Sequence, residues 1–96
     1  MKLETGRGDY AMERFQYVST LEGGLDIKRA GDFVKEVIQS GSKVTVRNGN
    51  KRGDAKLIFN ILSLNIKKGD CLEFTVEGEN ETEKALFLKE YVSEHL

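Results

Sequence analysis

The stretch Gly24-Leu25-Asp26-Ile27-Lys28-Arg29-Ala30 constrains this chain most, because it closes one element and opens another within seven residues. Ahead of it, Phe15, Tyr17 and Ser19 alternate with polar neighbours between Met12 and Leu21, the period of a half-buried strand, and Gly23-Gly24 ends that pattern. Beyond it, Ile27, Ala30, Phe33, Val34, Val37 and Ile38 recur at spacings that draw one apolar stripe on a helix over 27–40. Lys28, Arg29, Asp32, Lys35 and Glu36 take its wet side, and Ser40-Gly41 stops it. Asp26 stands at the N-cap, where its carboxylate can accept the backbone N–H of Lys28 or Arg29.

The remaining chain completes one small sheet with its helices. Lys43 to Arg47 reads as a strand turned at Asn48-Gly49-Asn50, with a weak, polar return over 51–56 that carries Gly53 and marks an edge. Leu57 to Leu64 packs six apolar residues into eight positions, more than one face of a short helix can bury, and 65–70 reads as a loop. Cys71 to Glu77 alternates, with Leu72, Phe74 and Val76 on one face, and Cys71 is expected as a small buried hydrophobe of that strand. Asn80 with Glu83 three residues on predicts a capping box for a last helix whose core face is Ala85, Leu86, Leu88, Lys89 and Val92. The order is βαββαβα: an α+β open-faced β-sandwich, a four-stranded, mostly antiparallel sheet with three helices on one face.

Ninety-six residues suffice for one domain, expected over 12–96 behind a disordered or extra leader, 1–11. No apolar run approaches the ~18 residues a spanning helix needs, and no apolar segment follows Met1, so a cytoplasmic location is expected. Fifteen basic and sixteen acidic residues leave a net charge of −1, so no global field recruits nucleic acid or anionic membrane. Lys43, Arg47, Lys51, Arg52 and Lys56 cluster near the hairpin, but no aromatic interleaves them, and a solvated hairpin is the expectation. A lone cysteine and a lone histidine provide no metal-ligand spacing, so no metal and no cofactor are expected. His95 is read as a solvated tail group, and the two Arg-Gly-Asp triplets, 7–9 and 52–54, as accidents of a chain rich in glycine and charge, the second as turn chemistry.

From Gly24 onward the order and spacing of elements resembles the HPr family, the small phosphocarrier proteins of the bacterial sugar phosphotransferase system. That family carries Gly-[Ile/Leu]-His-Ala-Arg-Pro-Ala at this point, and its histidine takes and passes on a phosphoryl group. Here Gly24, Leu25 and Ala30 remain, Asp26 stands at the histidine, and Lys28 and Arg29 stand at the arginine and proline. The Ser63-Leu64 pair after the short helix also matches. The resemblance further places the family's regulatory serine at Leu57, so both phosphorylation sites are expected to be absent.

What the resemblance leaves is a docking surface: Lys28, Arg29 and Lys35 for charge, with Ile58, Phe59 and Leu62 for apolar contact. Leu57, Ile61 and Leu64 share a face and are the expected core set of the short helix, which turns Phe59 and part of Ile58 and Leu62 outward. The leading expectation is a monomeric, non-catalytic module that binds a protein partner and regulates. The alternative is a phosphocarrier acting through Asp26, since aspartate can form an acyl phosphate, although no carboxylate cluster beside it would hold Mg²⁺.

Overall fold

The computed structural model describes residues 11–96. Its elements are β1 (Ala11–Val18), α1 (Ile27–Ser40), β2 (Lys43–Asn48), β3 (Lys51–Asp54), α2 (Ile58–Leu62), β4 (Cys71–Gly78) and α3 (Glu81–His95). The sheet order is β1-β4-β2-β3, and every pairing is antiparallel. The α+β open-faced arrangement expected from the sequence is therefore the one observed. Most of the expected leader, residues 1–10, lies outside the described residues, and Ala11 begins β1.

Side-chain alternation explains where the core sits. Phe15 and Tyr17 of β1, Val44 and Val46 of β2, and Leu72, Phe74 and Val76 of β4 turn to the helices and meet Ala30, Phe33, Val34 and Val37 of α1 and Ala85, Leu88 and Val92 of α3. One row of the sheet runs Phe15, Phe74, Val46, Gly53 across all four strands. Phe74 stacks on Phe15 at 4.9 Å and meets the edge of Phe33 at 6.0 Å, so the aromatic centre of the core is shared by two strands and α1. The row ends in glycine for a steric reason: a Cβ at Gly53 would lie 2.9 Å from the Cβ of Asn60 in α2. The glycine that makes β3 weak in isolation is what lets α2 lie on it, and Asn60 Oδ1 accepts the N–H of Asp54 at 3.2 Å to fasten the contact.

Several expectations fail, each at the margin of a pattern. Cys71 is exposed, because the strand's buried positions are even-numbered and Cys71 falls on the wet face. Leu57 is 53% exposed: it is the N-cap of α2 with extended backbone, φ −116°, so its side chain leaves the helical register that buries Ile61 and, beyond it, Leu64. Ile27 and Ile38, the two ends of the α1 stripe, are exposed, as are Leu86 and Lys89 of α3. Asn80 makes no side-chain cap bond; it adopts a left-handed conformation, φ 56°, and its carbonyl accepts the N–H of Lys84 at 3.0 Å. The second Arg-Gly-Asp triplet lies within β3, with Asp54 Oδ1 accepting the N–H of Lys56 at 2.9 Å in the turn that follows.

Candidate functional site

The N-terminal end of α1 is fixed from the loop that precedes it. Gly24 has φ +83° and lies so close to the 65–70 loop that a Cβ would be 2.8 Å from Ile66 O, the carbonyl that also accepts the Leu25 N–H at 3.1 Å. That loop is held in turn by Asp70, whose Oδ2 accepts the Lys67 N–H at 2.9 Å and the Asn48 side-chain amide at 3.0 Å. Those two bonds, the backbone one first, draw the Asp70 carboxyl below its ordinary pKa.

Asp26 then does what the sequence predicts. With extended backbone, φ −95° and ψ 176°, its Oδ1 accepts the Arg29 N–H at 2.9 Å and its carbonyl accepts the Ala30 N–H at 2.9 Å. The carboxylate thus satisfies one of the helix's open donors from within, in the field of the positive helix end.

Around it opens a cleft of about 390 Å³ lined by Asp26, Lys28, Arg29, Asp32, Tyr91 and His95. Its charges are balanced internally. Lys28 Nζ pairs with Asp32 at 3.1 Å, an exposed contact one helical turn apart, and the Arg29 guanidinium donates to the His95 carbonyl at 3.1 Å across 66 residues of sequence. Arg29 thereby closes a carbonyl left open at the C-terminal end of α3.

His95 is exposed but is not a solvated tail. Its ring lies 4.4 Å from that of Tyr91, and the next residue, Leu96, is buried with its carbonyl accepting from Ser19 Oγ at 2.8 Å and Thr20 N at 3.0 Å. Burial, then the charges of Asp32 and Glu36, push the Tyr91 hydroxyl above its ordinary pKa. Sequence reading missed His95 and Tyr91 here, since only the packing of α3 across the sheet brings them to Asp26.

The second half of the site lies on α2. Phe59 is 77% exposed, while Ile58 and Leu62 are half-buried against the core, as expected. α2 leans on α1 where Gly31 faces Ile58, a Cβ there being 3.7 Å from Ile58 Cδ1. Ile27, Gly31 and Lys35 recur at four-residue spacing on that side of α1, with Lys28 beside them. Ile27, Lys28, Lys35, Leu57 and Phe59 are all exposed, Lys28 lines the Asp26 cleft, and Arg29 reaches toward α3. Among the described residues no group of three His, Cys, Asp or Glu is placed to hold a metal, and no helix is long and apolar enough to cross a membrane.

A family model described as the PTS HPr component phosphorylation site matches residues 14–94. The chain belongs to the HPr family. Among relatives, the phosphocarrier protein HPr of Haemophilus influenzae is 36% identical over 58 residues, covering 60% of this chain and 68% of its own. The HPr-like protein Crh of Bacillus subtilis is 32% identical over 76 residues, 79% of this chain and 89% of its own. The crystal structure of the phosphocarrier protein HPr from Bacillus anthracis superposes with a TM-score of 0.77 at 30% identity, over 85% of this chain and 98% of that one. HPr-family membership thus agrees with the resemblance carried by Gly24, Leu25, Ala30 and the Ser63-Leu64 pair.

Proposed function

We propose that this HPr-family chain is a cytoplasmic, non-catalytic module that docks on a protein partner and regulates, having lost both the phosphohistidine and the regulatory serine of its family. The observation that carries the reading is the Asp26 carboxylate accepting the Arg29 N–H at 2.9 Å, in the position the family resemblance assigns to the phosphoacceptor. An acceptor there needs the open helix end for an incoming phosphate, whereas a carboxylate brings its own negative charge to it. Leu57, at the position of the regulatory serine, has no hydroxyl.

The docking face is the side of α1 bearing Lys28 and Lys35 together with Ile58, Phe59 and Leu62 of α2. Support comes from Phe59, a large aromatic left in water by a helix that buries Ile61 beside it. Arg29, exposed and donating to the His95 carbonyl, adds its charge beside that face. The test is capture of phosphotransferase-system proteins by the purified chain and by Phe59→Ala. Removing an interface anchor should weaken capture by ~2 kcal/mol or more while the melting temperature stays within a few degrees. Equal capture by both proteins would remove α2 from the interface.

A further inference from the structure

At the opposite end of α1 from Asp26, a second cleft of about 440 Å³ lies between the C-terminal half of α1 and the N-terminal half of α3. Its rim carries Glu36, Gln39, Asn80, Glu83 and Lys84, and Phe87, 52% exposed, forms one wall. A narrow neck of about 10 Å³, room for a single hydroxyl-sized group, adjoins it and shares Glu36, Ser40, Lys84 and Phe87 as walls. The neck is otherwise walled by Val44, Val76 and Leu88, with Ser42 among its lining residues.

Ser42 is 3% exposed, and its Oγ has no hydrogen-bond partner among the described residues. Buried hydroxyls are ordinarily satisfied, so an orphan in a neck that adjoins an open cleft calls for a partner. Asn80 adds a second polar group on the rim, standing at the head of α3 with no side-chain cap bond.

The chemistry of the occupant follows from these walls. An apolar neck penalises a full charge. At the rim, two carboxylates and one ammonium confront any charged ligand with a like charge as well as an opposite one, while a group that both donates and accepts satisfies Glu36, Glu83, Lys84, Gln39 and Asn80 alike. We propose that this cleft binds a small neutral polyol, with one hydroxyl in the neck against Ser42 Oγ and the carbon framework on Phe87.

The experiment is an amide-shift titration of the full chain with D-glucose, D-mannitol, myo-inositol and glycerol, alongside phenethylammonium and phenylacetate as charged probes. At least one polyol should shift the Ser42, Lys84 and Phe87 amides saturably and leave those of Asp26 and Arg29 in place. Binding should be ~tenfold weaker in Ser42→Ala, whose melting temperature should not fall because it loses only an unpartnered hydroxyl. Phe87→Ala, an exposed position, gives the same weakening independently of the core. The proposal is overturned if none of the four polyols shifts these amides saturably, if Ser42→Ala binds as tightly as the parent, if Phe87→Ala does, or if a charged probe binds more tightly than every polyol. A clear fall in the Ser42→Ala melting temperature would show that the hydroxyl has a protein partner and would overturn it too.

Discussion

The two halves of the candidate site differ in what they do with their own functional groups. At the head of α1, Asp26, Lys28 and Arg29 are each engaged within the chain, by a backbone N–H, by Asp32 and by the His95 carbonyl. On α2 and at its N-cap, the side chains of Phe59 and Leu57 are exposed, 77% and 53%. A carboxylate spent on its own helix serves architecture, whereas apolar surface left exposed beside a buried neighbour is available to another molecule.

The comparison breaks most readily within α2 itself. Ile61→Ala, on the buried side, should cost ~2–5 kcal/mol of unfolding free energy in denaturant titration, while Phe59→Ala two residues earlier should barely move the midpoint. Should Phe59→Ala cost ~3–5 kcal/mol instead, Phe59 is core and the contrast disappears.

Next in size is the turn that delivers Asp26. Gly24→Ala places a Cβ against Ile66 O at a positive φ, and should lose ~1–3 kcal/mol by thermal unfolding. A neutral outcome would mean that the loop yields and that the geometry at Asp26 is loosely held.

The cap is a smaller effect. Asp26→Ala should cost ~1 kcal/mol and Asp26→Asn only a few tenths, because asparagine caps nearly as well. Equal and negligible losses would show that the carboxylate is not spent on the helix.

The smallest effect is in acid. Asp70 has a lowered pKa in the folded chain, so its contribution is fully present above its unfolded value, near 3.8, and is lost as pH falls through the folded value. Acid unfolding followed by circular dichroism should therefore be less steep below that point in Asp70→Asn than in the parent. Identical profiles would detach the 65–70 loop from the stability of the Asp26 end.

Much of this contrast is legible in sequence because it is local. Asp26 three residues before an N–H donor, and a short helix with more apolar residues than one face can accept, are read from neighbours alone. Leu57 is misread because it lies one residue outside the helix, at an extended N-cap where helical spacing does not hold. Cys71 is misread on residue type, though the even-numbered alternation of Leu72, Phe74 and Val76 already puts it on the wet face. The companions of Asp26 are not legible at all: Tyr91, His95 and the Arg29 clamp depend on α3 crossing the sheet to end beside α1. Nothing at position 95 records that contact.

The central claim is that the head of α1 is occupied by its own carboxylate and takes no phosphoryl group. Intact-mass measurement after incubation with phosphoenolpyruvate and the first phosphotransferase of the system tests it most directly. The account predicts an unchanged mass for the parent chain and for Asp26→Ala; an added phosphoryl mass that vanishes in Asp26→Ala would contradict it and make the chain a phosphocarrier through Asp26.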